Sequence, residues 1–231
     1  MSIRVAFALA ASLAAAVAGA ESQHDSARDN EVGLQAEVSR EVPNDLMTAT
    51  LYAEANDPSA AQVANQLNRL TAEALKTAGD FKPVKARSGA VNTYPLYDRT
   101  NKLTGWRGRA EVRLESKDFA AMANLIGKLQ SSMQLAQVQF TVSPELRRQT
   151  ENDLIVEGVA AFRGRAEIAT KALGGKGYKI RRMDIHTAGG LPQPIPRVRA
   201  MSAASAEVAP PVFEGGTSTV QVGVNGTVEV E

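Results

Sequence analysis

Chemistry in this chain has few side chains to draw on. There are two histidines and no cysteine in 231 residues. His24 sits in a polar stretch near the start, and His186 closes a strand-forming run in MDIHTAGG. Without cysteine or a neighbouring acid cluster, a metal centre would have to collect carboxylates from distant segments. His186 therefore reads as a surface residue at a strand end. Asp45, Asp153 and Asp184 could serve a carboxylate-based hydrolase, but no spacing brings them together. No serine has the flanks of a nucleophile elbow, and GTSTV lacks them too. No catalytic, cofactor-binding or metal residue is assigned, no cofactor is expected, and the expectation is a protein that is not an enzyme.

Two stretches imitate ligand sites. GGKGYK, residues 174–179, has the glycines of a phosphate loop in the wrong order. Such loops leave a strand and open a helix, so that amides point at the anion. Here the glycines follow a helix and precede a strand, which makes them a helix stop. Arg107, Arg109 and Arg113 form a basic row beside Trp106. Alternation puts Trp106 on the opposite side of the strand, where it cannot stack with the arginines as a base platform would. Glu111 and Glu115 interrupt the charge, so a solvated face or subunit contact is expected and nucleic acid is not.

The elements that would position these residues are well marked. MSIRVAFALAASLAAAVAGAESQ has a basic start, an apolar run from Val5 to Val17 and a small-x-small site at Ala18–Ala20. That is the pattern of a signal peptide over residues 1–20, cleaved after Ala20, and it predicts a periplasmic, soluble chain. The run is shorter than the ~20 residues of a membrane span. Without Arg4, 25 basic residues balance 25 acidic ones, which favours neither polyanions nor a halophile-like surface. Residues 21–30 read as a disordered lead-in.

Strands are predicted at 32–38, 46–55, 83–97, 106–115, 138–142 and 178–185. Helices are predicted after Asp57-Pro58, after Ser116 or Asp118, and after Ser143-Pro144-Glu145, each opened by a capping residue. In the last of these, Ile155, Val159, Phe162, Ala166, Ala169 and Leu173 form the expected apolar seam. Its alanines would also permit close helix contact between subunits. Residues 187–216 are rich in proline and read as a long loop. The order over 46–142 is strand-helix-strand-strand-helix-strand, a ferredoxin-like core. The fold class is α+β with a mostly antiparallel sheet, completed by an added long helix and C-terminal strands.

The tail TSTVQVGVNGTVEVE contains Asn225-Gly226, the commonest tight hairpin signal. Val220, Val222, Val224, Val228 and Val230 all have even numbers, so one continuous strand places every valine on one face. A hairpin would mix valine with charge on both faces. A single strand is predicted, inside a sheet and under the long helix, with Gly226 at a bulge or a close backbone approach.

Several landmarks coincide: NTYPLYD, GWRGRAEVRLESKDFAAMANLIGKL, VQFTVSPE, LGGKGYKI and the final VQVGVNGTVEVE. Together they resemble the SIMPL-domain family of bacterial periplasmic and outer-membrane-associated proteins, some described as oxidative-stress-defence proteins or immunogenic antigens. The resemblance covers residues 31–231. Arg163 and Arg165 depart from it, since the family tends to alanine there. It implies a periplasmic α+β protein without an established reaction, some of whose relatives form large ring or channel-like homo-oligomers. The expected function is a non-enzymatic homo-oligomeric assembly with an envelope or stress-protective role. The alternative is a periplasmic module binding a small molecule or peptide.

Overall fold

The structure is a computed structural model and describes residues 30–187 and 214–231. The segment expected to be a signal peptide, His24 and most of the proline-rich segment lie outside the described residues. Ten elements follow one another: β1 (Glu31–Pro43), β2 (Leu46–Asp57), α1 (Ala60–Gly79), β3 (Lys85–Tyr97), β4 (Leu103–Ser116), α2 (Phe119–Leu129), β5 (Gln134–Thr141), α3 (Pro144–Ala172), β6 (Tyr178–Thr187) and β7 (Thr217–Val230).

The strands divide into two antiparallel sheets, where the sequence suggested one sheet system. One has the order β3-β4-β2-β5 and the other β1-β7-β6. The divide falls at Asn44-Asp45, the two residues between β1 and β2. Each sheet has its own core. In the four-stranded sheet, Met47, Leu51, Val112 and Leu114 point towards Val63 and Leu67 of α1 and Met122 and Leu125 of α2. In the three-stranded sheet, Ala36, Val222, Val224 and Val228 lie under Leu154, Phe162 and Ala166 of α3.

The tail is one strand. β7 runs unbroken through Asn225-Gly226 and pairs with β1 along one side and β6 along the other. All five valines are buried. A Cβ on Gly226 would overlap the carbonyl oxygen of Arg182 in β6, so the glycine marks a close backbone approach. Gly226 pairs with Met183, and a register shift between Ile180 and Arg182 lies next to that pair, opposite Val228 and Thr227.

Helix starts follow capping chemistry. Asp118 accepts from Ala121 N at 2.9 Å and opens α2. Ser143 opens α3 before a first-turn proline. In α1 the start moves: the cap is Ser59, and Asp57 accepts from its backbone N–H at 2.7 Å. At the end of α3, Gly174 takes φ +77°, a conformation that glycine reaches without strain. Gly174 N–H donates to Lys171 O and Gly175 N–H to Thr170 O, the paired bonds of a Schellman stop. GGKGYK is thus a helix terminus, as its position in the chain implies.

The seam of α3 differs from the expected one. Thr150, Leu154, Gly158, Phe162, Ala166 and Thr170 are buried. Ile155, Val159 and Ala169 are half-buried, and Leu173 is exposed. The helix rests so close to the strands that a Cβ on Gly158 would stand 2.9 Å from Val224 Cγ2. Contact that close selects small residues, and Thr150 is admitted because its hydroxyl donates to Leu146 O at 2.8 Å.

Candidate functional site

Polar chemistry converges at the junction of the two sheets. Asp45, between β1 and β2, accepts from Ser143 N at 2.6 Å and from Ser143 Oγ at 2.7 Å. Lys117, between β4 and α2, places Nζ 3.2 Å from Asp45 Oδ2, 3.4 Å from Glu145 Oε2 and 3.0 Å from Ser143 Oγ. A hydroxyl, an amine and two carboxylates thus meet within hydrogen-bond or ion-pair reach. Beside them, Asn44 donates to Gly215 O at 2.7 Å and accepts from Ser218 Oγ at 2.7 Å, tying the entry of β7 to the same corner.

A serine beside a lysine can be a nucleophile only if the lysine is neutral enough to take its proton and the hydroxyl is accessible. Neither condition holds. Ser143 is fully buried. Its Oγ gives its proton to Asp45 and accepts from Leu146 N at 3.3 Å as a helix cap. The bond to Asp45, followed by attraction to Glu145, raises the Lys117 pKa and keeps the amine charged. Burial pushes the Asp45 carboxyl up. The Ser143 N–H and hydroxyl and Lys117 outweigh that burial and hold it below its ordinary value. Glu145 is lowered first by its own backbone N–H at the helix start and then by Lys117. The cluster acts as a clamp, joining β2, α3 and the approach to α2.

The three aspartates considered for hydrolysis stay apart. Asp45 belongs to this clamp, Asp153 pairs with Arg40 at 3.2 Å, and Asp184 pairs with Arg182 at 2.7 Å. His186 is exposed, with Nε2 3.0 Å from Asn225 Nδ2. Among the described residues no group of three histidines or acids is placed to hold a metal. Sequence reasoning named Asp45 and the Ser143 cap separately and missed Lys117. The cap was visible in Ser-Pro-Glu, but the lysine comes from a different turn and carries no local signal.

The arginine row lies on the open face of the four-stranded sheet. Arg109 stacks over the Tyr52 ring at 3.6 Å and lies 3.8 Å from Glu54 and 3.6 Å from Glu111. Arg107 donates to Asn56 Oδ1 at 3.0 Å. Trp106 is packed against the core on the other face. The arginines are thus paired with acids and amides in a mixed polar surface. A shallow groove of about 460 Å³ lies elsewhere, lined by Phe81, Ala123, Asn124, Gly127 and Lys128. Lys128 Nζ stands 4.8 Å above the Phe81 ring there. No described helix is long and apolar enough to cross a membrane.

The fold and its polar centre define an α+β protein whose most connected polar cluster holds two sheets together. The chain belongs to the SIMPL family, described as a protein of unknown function (DUF541), which matches residues 32–228. No curated protein matches it. Partial likeness extends to solved structures of longer chains. One is an amidohydrolase/peptidase from Burkholderia cenocepacia, 13% identical with a TM-score of 0.30, covering 52% of this chain and 32% of that one. Another is AtUAH in complex with glyoxylate, 12% identical with a TM-score of 0.29, covering 55% and 34%. This chain spans about a third of the length of either, and the likeness carries no activity across.

Proposed function

We propose that this is a non-enzymatic periplasmic protein that works as a homo-oligomer and protects the cell envelope, including under oxidative stress. One observation carries the assembly reading: among the described residues, large apolar side chains stay exposed along the outer strands of both sheets and on α3. Val91, Tyr94 and Tyr97 stand on the edge strand β3, with Leu103 beside them on β4. Ile180 and Ile185 stand on β6, the edge of the other sheet. Unpaired edges with apolar side chains are contact surfaces in waiting, and a second copy is always at hand to cover them.

The leader-like N-terminus supports the compartment, and the family supports the type of role. A stress role for a chain without cysteine is structural, since no thiol is available for redox chemistry. Native mass measured by light scattering over a dilution series tests the assembly. A strictly monomeric species at every concentration removes it. Cell fractionation tests the compartment and any outer-membrane association. Peroxide survival of a strain lacking the protein, with and without complementation, tests the protective role.

A further inference from the structure

The outward face of α3 carries a row of apolar residues that the described residues leave uncovered. Val156, Ala160, Gly164, Ile168 and Ala172 succeed one another at steps of four and form one continuous ridge. Val156 is 71% exposed and Ile168 69%, and Ala160 and Ala172 are exposed as well. A helix lying on a sheet ordinarily turns polar residues outwards. At the centre of the row stands Gly164, where a Cβ would meet nothing within 4 Å. Glycine is a poor helix former, and no contact among the described residues calls for one here. Its lack of a side chain is useful where another backbone comes close.

We propose that this ridge is a contact between two copies of the chain, their α3 helices crossing antiparallel about a two-fold axis at Gly164. The proposal rests on the homo-oligomer reading and names the surface that reading uses. A two-fold axis through residue 164 sets each position n residues after it against the position n residues before it. Ile168 then faces Ala160 of the second copy, and Ala172 faces its Val156, large against small in both cases. Lys171 faces Glu157 of the second copy, with Asp153 one turn further on. Both acids are held at this edge by Arg40 of their own chain. A parallel crossing would set Glu157 on Glu157 and Lys171 on Lys171, so these outer charges favour the antiparallel arrangement, while Arg163 and Arg165 beside Gly164 meet arginines of the second copy in either one.

Sedimentation velocity on wild-type protein and on Gly164→Leu tests this, with thermal melts alongside. The substitution fills open space and introduces a better helix former. The melting temperature should hold or rise while self-association weakens by about tenfold or more. The second arm uses the cysteine-free background. Gly164→Cys should yield a disulfide-linked dimer under mild oxidation, because the axis brings the two Cα atoms within about 4.4–6.8 Å. Gly127→Cys on α2, also open to solvent, should not. A monomeric wild type would remove the assembly reading and this contact together. An assembled wild type whose mass survives Gly164→Leu, and whose Gly164→Cys form does not cross-link, would keep the assembly and overturn the α3 contact alone.

Discussion

Phe162 of α3 and Gly226 of β7 are shaped to one another. The ring is fully buried, and a Cβ on the glycine would stand 2.9 Å from its Cζ while overlapping the Arg182 carbonyl oxygen. A helix, a central strand and an edge strand therefore meet at a point with no room for a methyl group. Gly226→Ala should destabilise the protein by about 1–3 kcal/mol, the usual range for overpacking. Phe162→Ala, which opens a cavity at the same point, should cost about 3–5 kcal/mol. Denaturant melts of both variants check the pair. Wild-type stability in Gly226→Ala would mean that β6 can move aside freely.

Asp45 should make stability sensitive to acid. Its carboxyl titrates below the ordinary value in the folded protein. Its contribution is therefore complete above the unfolded-state value and is lost as pH falls through the folded one. Melting temperature should drop as pH is lowered beneath about 4. Asp45→Asn should be less stable than wild type at neutral pH and show a shallower acid limb. Parallel acid limbs in the two proteins would show that other carboxylates set the transition.

Asn44 holds the same corner from the other side. It is buried and serves both Gly215 O and Ser218 Oγ. Asn44→Ala leaves two polar groups without their partner, at about 1–3 kcal/mol for the buried one. Faster proteolysis between residues 187 and 217, together with a lower midpoint in urea, is the expected result.

Removing residues 217–231 should abolish folding of the three-stranded sheet rather than trim an arm. β7 is the middle strand of its sheet, so its loss parts β1 from β6 and uncovers the α3 seam. At about 1.5–3 kcal/mol for each of five buried valines, the loss matches a whole domain's ~5–15 kcal/mol stability. The truncated chain should be insoluble or misassembled. A soluble product with native circular dichroism would refute the central placement of β7.

The valines of β7 were legible because a period of two is written directly in the even positions, and no hairpin alternative keeps them on one face. The caps Asp118 and Ser143 were legible for a similar reason, since each acts within three residues of itself. The seam of α3 was not. Hydrophobicity singles out Ile155, Val159 and Leu173, whereas proximity to the strands decides in favour of Thr150, Gly158 and Thr170. The split into two sheets was equally hidden. It depends on Asn44 and Asp45 finding Gly215, Ser218 and Ser143 far along the chain, and no local pattern records a partner at that distance. Lys117 joined the junction unannounced on the same ground.

The pairing of β1 with β7 also sets an order of events. Glu31 lies opposite Glu229, and Val230 N–H donates to Asn30 O, so the first described strand is matched to the last. A chain that emerges from its N-terminus must carry β1 unpaired while nearly everything else is made. The four-stranded sheet can close early from segments nearer in sequence, whereas the three-stranded one waits for the end. Until then β1 and the buried side of α3 are open to any other strand or apolar surface. Their protection during that interval falls to chaperones or to speed, and a slow or interrupted synthesis would release a half-folded chain with one sheet complete and the other missing its middle.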